Sequence, residues 1–254
     1  MEDLRNKVVV ITGASTGIGA AVALKFSEYG AKVVINYNKS KDKAENIVKN
    51  ITNNNKEAIA VQGDVCIEEN MVNIVKEAIK SFGEINIFIN NAGGMVERAS
   101  VDKISPEIFQ IVFDLNCLSV MLGTKIALNT FKEQNKGGCI INTTSIAARL
   151  GGSLGAVFYS ASKAWVSTFT RGMARELLPH KIRVNGVAPG IIDTPFHEQS
   201  TPPEIMEGMI KTIPMGRWAS SDEVAGTYLY LASEEMSSYI TGQIIEVNGG
   251  QLMP

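Results

Sequence analysis

Short runs of apolar, β-branched residues alternate along this chain with longer stretches in which apolar positions recur every three or four residues. The first kind predicts strands at 8–12, 32–37, 58–62, 85–90, 139–144, 183–187 and 243–247. The second predicts helices at 18–29, 41–51 and 68–82, with longer ones at 108–134 and 158–178. Runs such as Val8-Val9-Val10-Ile11 are apolar at every position, so both faces of the strand must be covered, as in a parallel sheet. Regular strand–helix alternation then implies βαβ units in an α/β fold: a doubly wound parallel sheet with helices on both faces. No internal repeat or Pro/Gly-rich linker divides the chain, so residues 1–254 read as a single domain. One long stretch, 189–218, lacks periodicity and holds five of the eight prolines (Pro189, Pro195, Pro202, Pro203 and Pro214). Loops of that length are usually functional, and 190–218 is expected to form a lid over a site.

Composition narrows the function. Hydrophobic residues make up 45% and charged residues 20%, and the formal charge is −2 without a basic run. No nucleic-acid or membrane-surface partner is expected from that balance. By the same reading no apolar stretch is long enough to span a bilayer, and the N-terminus runs from Met1 straight into Lys7 and a strand, leaving no room for a signal peptide. The three cysteines Cys66, Cys117 and Cys139 are odd in number and lack Cys-x-x-Cys spacing. They read as buried free thiols in a reducing, cytoplasmic setting. His180 and His197 are the only histidines and lack ligand spacing, so no metal site is expected.

The first strand ends in Thr12-Gly13-Ala14-Ser15-Thr16-Gly17-Ile18-Gly19, where a helix begins. A turn this tight needs residues without Cβ, so that the backbone can take positive φ and a phosphate can approach. The helix start offers unpaired N–H groups and the positive end of its dipole to a pyrophosphate. This placement points to a Rossmann-like dinucleotide site, although Gly-x-x-x-Gly-x-Gly differs from the Gly-x-Gly-x-x-Gly spacing of the general fold. The second strand should carry the residue that reads the adenosine ribose, an acid in NAD-selective sites. Here Asn36-Tyr37-Asn38-Lys39-Ser40-Lys41 has no acid before Asp42 and has two lysines, which favours NADP(H) over NAD(H).

Further on come Asn90-Asn91-Ala92-Gly93, Asn116, Ser145 and Tyr159-x-x-x-Lys163. With the glycine turn, these in this order resemble the short-chain dehydrogenase/reductase family over essentially the whole chain. Pro189-Gly190 and Thr241-Gly242 before Val247-Asn248-Gly249-Gly250 look like that family's later landmarks; the Ser145–Tyr159 interval is one residue longer than usual. The resemblance implies an NAD(P)(H)-dependent oxidoreductase that moves a hydride between nicotinamide and a carbonyl or secondary alcohol. It implies Tyr159 as acid/base, Ser145 as hydrogen-bond donor to the substrate oxygen, and Lys163 on the nicotinamide ribose. Asn116 would bend its helix and hold a water leading to Lys163. Lys163 and the nicotinamide charge are expected to lower the Tyr159 pKa from about 10. The cofactor would further meet Gly13, Ser15, Thr16, Gly17, Ile18, Gly19, Asn38, Asp64, Val65, Asn91, Ala92, Gly93, Pro189, Gly190, Ile192 and Thr194, with Asp64-Val65 at the adenine.

Within the family the chain looks most like 3-oxoacyl-carrier-protein reductases, with bacterial glucose 1-dehydrogenases as the alternative. The first would act on an acyl thioester and receive an acidic carrier protein on basic surface, for which Lys136 and Lys181 are candidates. Two other classes are weighed. Gly151-Gly152-Ser153-Leu154-Gly155 matches a hydrolase elbow, with Asp193 and His197 following in order, but residues 146–150 separate it from its strand. A non-catalytic dinucleotide-binding protein is disfavoured by the intact Asn116, Ser145, Tyr159 and Lys163. Finally, 108–134 and 158–178 carry more apolar residues than one stripe requires, with Met121, Leu122, Ala164, Phe169 and Met173 as a second buried face. By resemblance they would pack into a homotetramer.

Overall fold

The computed structural model describes the chain apart from Ser153, Leu154, Pro202, Pro254 and the side chains of Gln199 and Ser200. The apolar first strand, β1 (Val8–Ile11), divides its side chains by alternation. Val9 and Ile11 join one core cluster, while Val8 and Val10 join a second on the opposite face. The same division runs across a sheet of seven strands among the described residues: β2 (Lys32–Tyr37), β3 (Ala58–Gln62), β4 (Ile87–Asn90), β5 (Gly138–Thr143), β6 (Ile182–Pro189) and β7 (Ile244–Val247) complete it. Their order is β3-β2-β1-β4-β5-β6-β7, every pair parallel. The order reverses direction between β1 and β4. That switch opens a crevice at the carboxyl ends of the strands, where doubly wound sheets bind ligands.

Helices α1 (Gly17–Glu28), α2 (Lys41–Asn53) and α3 (Glu68–Phe82) follow the first three strands. A continuous helix, Pro106–Gln134, comprises α4 (Pro106–Phe113), a π-helical turn (Asp114–Leu118) and α5 (Ser119–Gln134). By length and composition it could cross a membrane, which corrects the sequence expectation that no stretch is long enough. Its apolar residues serve the core instead: Leu122, Ile126, Ala127 and Phe131 are buried against β4, β5 and their neighbours. Beyond β5 come the short α6 (Ala147–Leu150) and the long α7 (Val157–Leu177).

The stretch after β6 is not irregular. It folds into α8 (Pro195–Ser200) and α9 (Pro203–Ile210), each with a proline in its first turn, where a missing N–H costs nothing. Then α10 (Ser221–Ala232) and α11 (Glu234–Ser237) return the chain to β7. The sequence pattern did not reveal α10, although Ser220-x-x-Glu223 is a start signal and the Glu223 carboxylate accepts the Ser220 N–H at 2.9 Å. The second apolar face also needs revision. Leu122 lies in the subunit's own core and Met121 and Met173 pack against it; the exposed apolar residues on these helices are Phe109, Ile111, Val157 and Trp165, with Trp165 stacked on Phe169 at 4.6 Å. Of the thiols, Cys117 and Cys139 are buried and Cys66 is half-buried.

Candidate active site

A cleft of about 630 Å³ opens at the carboxyl edge of the sheet, lined from the ends of β1, β2, β4, β5 and β6. The glycine turn forms one end. Gly13 and Gly17 adopt φ of +60° and +56°, and a Cβ on Gly19 would fall 2.5 Å from the Asn91 amide nitrogen. Thr16 begins α1 without capping it through its side chain, and no acid occupies the first turn. The first N–H groups of α1 therefore remain available to an anion. Asn91 ties the turn to β4, its amide donating to the Thr12 and Gly13 carbonyls at 2.9 and 3.1 Å. Thr12, which sequence reasoning did not assign, accepts both the Asn91 and Ala92 N–H groups on its hydroxyl.

The second strand separates two asparagines that look alike in sequence. Asn36 is 1% exposed; its oxygen accepts the Gly13 N–H at 3.1 Å and its amide donates to the Gly63 carbonyl at 3.0 Å. It braces the glycine turn and does not line the cleft. The ladder still pairs Tyr37 with Gln62, so the residues that reach the cleft from this strand are Tyr37, Asn38, Lys39 and Ser40. Asp64 and Val65 do not line the cleft. Val65 is buried in the core, while the Asp64 carboxylate takes the Asn38 amide at 3.1 Å and the Cys66 N–H at 2.9 Å.

The floor gathers the four residues expected to carry the chemistry. Asn116 lies in the π-helical turn, fully buried. Its amide donates to the carbonyls of Val112 and Gly94, both at 2.8 Å, and its oxygen accepts the Gly94 N–H at 3.0 Å. Its polar atoms thus fix the loop after β4. The widened turn agrees with the expected bend in the helix. Lys163, 3% exposed, donates to the Thr143 carbonyl at 2.8 Å, and its ammonium lies 5.9 Å from the Tyr159 ring centroid. Burial lowers its pKa to about 8. Ser145 lies close enough to Tyr159 to favour its ionised form and accepts the Ala147 N–H at 3.1 Å; the longer interval between them does not keep them apart. Burial raises the Tyr159 pKa, the serine pulling the other way.

Past Tyr159 the cleft is bounded by Met95, Arg98, Leu150, Phe196, His197 and Met209, none of which sequence spacing marks as a group. Pro189, Gly190, Ile192 and Thr194 line its roof, and Thr194 comes within 3.4 Å of where a Gly17 Cβ would stand. Phe196 leans on Tyr159, ring centroids 5.5 Å apart. His197, partnered by Thr201 at 3.1 Å, is lowered to about 4 by burial and by the Arg98 charge. The hydrolase elbow gains nothing: Ser153 and Leu154 lie outside the described residues, and α6 separates the Gly151–Gly155 segment from β5. Lys136 and Lys181 fail as a docking patch for this cleft. They precede β5 and β6, at the opposite edge of the sheet, and Lys136 pairs with Glu84 at 2.5 Å.

The geometry agrees with what the chain is similar to. A family model described as enoyl-(acyl carrier protein) reductase matches residues 13–251. A 3-oxoacyl-[acyl-carrier-protein] reductase of Synechocystis is 39% identical over 253 residues, covering 100% of both chains. Among solved structures, a short-chain type dehydrogenase/reductase from Mycobacterium marinum superposes with a TM-score of 0.94 at 35% identity, covering 100% of this chain and 98% of that one. The NADH-dependent reductase A1-R′ responsible for alginate metabolism gives 0.91 at 34%, covering 100% of both. This chain, with its seven-stranded parallel sheet, belongs to the short-chain dehydrogenase/reductase family and is an oxidoreductase.

Proposed function

We propose that the enzyme interconverts a carbonyl and a secondary alcohol, with Tyr159 as proton donor and acceptor and NADP(H) as preferred cofactor. The observation that carries this is the placement of Ser145 and of the Lys163 ammonium beside Tyr159, at the floor of a cleft that starts from an uncapped helix. The residues fit a dinucleotide. Gly13, Ser15, Thr16, Gly17, Ile18 and Gly19 would surround the pyrophosphate, Asn91, Ala92 and Gly93 the centre, and Pro189, Gly190, Ile192 and Thr194 the nicotinamide end. Asn38, Lys39 and Ser40 would meet the adenosine ribose, where a lysine without a lining acid favours a 2′-phosphate. Asp64 acts there through Asn38.

When bound in its reduced form, the nicotinamide supplies the hydride for the carbonyl carbon. Tyr159, held protonated by burial, gives its proton to the carbonyl oxygen, and Ser145 donates a hydrogen bond to the same oxygen as negative charge develops. Lys163, close to neutrality in acid strength, favours the phenolate that remains and can pass a proton back. Asn116 positions the loop over which the lysine reaches. The segment 190–218 would cover the site as a lid.

The Synechocystis relative makes a 3-oxoacyl thioester the first substrate to try. Acetoacetyl thioester and glucose, each with both cofactors, separate the two family readings. Tyr159→Phe should cut turnover roughly 10²–10⁴-fold while cofactor binding barely changes. Near-normal turnover by that variant sinks the mechanism. Tighter binding of NAD(H) than NADP(H), as the NADH dependence of A1-R′ would suggest, overturns the cofactor preference.

A further inference from the structure

The protein carries a formal charge of −2, yet its cleft is lined by three basic side chains, Lys39, Arg98 and Lys163, and by no carboxylate among the described residues. Two of the three have employment in the function proposed above. Lys39 stands at the ribose end and Lys163 beneath Tyr159. Arg98 stands at neither place.

Arg98 leaves the loop after β4 and crosses the segment that leads into α7. A Cβ on Gly155 would lie 2.8 Å from its Cγ, and the Ala99 N–H donates to the Gly155 carbonyl at 3.2 Å. Tyr159 is one helical turn further on. Arg98 makes further contacts within the protein. On the facing wall, Phe196 touches Tyr159 and His197 follows it. His197 is close enough to feel the Arg98 charge and stays neutral near pH 7, able to give or take a hydrogen bond. Burial also presses on the guanidinium itself, lowering its pKa. A partly desolvated guanidinium with a hydrogen-bonding neighbour is suited to a planar carboxylate. Asp193, the nearby acid, is exposed and does not line the cleft.

We propose that the cleft selects carbonyl substrates bearing a carboxylate, with Arg98 as the residue that pairs with it and His197 as its neighbour on the opposite wall. The inference rests on the carbonyl chemistry proposed above and names the class of substrate.

A matched pair of substrates tests it: 4-oxobutanoate, which carries the charge, and its methyl ester, which does not. The wild type should favour the acid by roughly 10–100-fold in kcat/KM, the scale of one charge-assisted hydrogen bond. Arg98→Gln should raise KM for the acid by that factor and change the ester less than about threefold, with Arg98→Lys in between. Calorimetry of succinate binding to the NADP-loaded enzyme reads the anion site without turnover, and Arg98→Gln should abolish the heat. Equal use of acid and ester by the wild type overturns the inference, as does an equal loss on both in Arg98→Gln, which would make Arg98 a brace for the loop at Gly155. If the wild type turns over neither compound, the proposed chemistry is at fault for this class. Succinate binding then decides alone, and its absence overturns the anion site.

Discussion

Replacing Lys163 with methionine should make the fold more stable while removing most of its activity. The lysine is 3% exposed and its pKa falls from 10.5 to about 8. At 1.36 kcal/mol for each tenfold change in acid strength, keeping it charged at pH 7 costs the folded state about 3 kcal/mol. The bond to the Thr143 carbonyl returns about 1–2 kcal/mol, so the variant should gain about 1–2 kcal/mol. For a chain of 254 residues that is a rise in Tm of roughly 3–6 °C. The pH dependence fixes the cause. A lysine with a lowered folded pKa opposes folding fully below about pH 8, progressively less up to 10.5, and not at all above it. The gain of the variant should therefore be greatest at pH 7 and fade between pH 8 and 10. Scanning calorimetry of both proteins without cofactor, from pH 7 to 10, measures it, and turnover should fall by at least about 100-fold. A variant less stable than wild type at pH 7, or a difference that does not change with pH, refutes the account of Lys163 as a strained buried cation.

Three further outcomes follow from the structure. Asn36→Asp should lower stability by about 1–3 kcal/mol, because it removes the amide donor to the Gly63 carbonyl and leaves a buried acid in its place; the urea midpoint reads this. Asn38→Asp should instead shift preference from NADP(H) toward NAD(H) by repelling a 2′-phosphate, and an unchanged ratio of dissociation constants by fluorescence titration would remove Asn38 from the ribose site. Phe109, Ile111, Val157 and Trp165 leave apolar surface exposed on the helices that we propose join subunits into a tetramer. Trp165→Glu should lower the sedimenting mass, and a wild type that sediments as a fully active monomer ends that proposal.

Strands and helices on this sheet were legible because their signals are local. Lys32–Tyr37, Ala58–Gln62 and Glu68–Phe82 occupy the spans that the apolar pattern predicts. In each, side-chain period and burial share one cause, the two-faced core. Tyr159 and Lys163, four apart on one helix, share a face by spacing alone, but only Ser145, Asn116 and the glycine turn in family order set them apart from an exposed pair. What local pattern could not supply was the depth of each residue along its strand. Asn36 and Asn38 differ in sequence by one intervening tyrosine, but the β2–β3 ladder runs on to Tyr37 and leaves only the later asparagine at the crevice. Register against a neighbour 25 residues away decides which one reaches the cleft. Burial is equally non-local: the rise in the Tyr159 pKa comes from its surroundings, including a Phe196 ring brought from the far side of β6. The substrate end compounds both effects. Arg98 hangs from the loop after β4, Leu150 from α6 and His197 from α8, and each of these segments is placed by a different strand of the sheet. Substrate choice in this fold is thus set by loops whose spacing along the chain carries no period. The residues proposed for the cofactor and the proton, by contrast, sit on elements that a period locates.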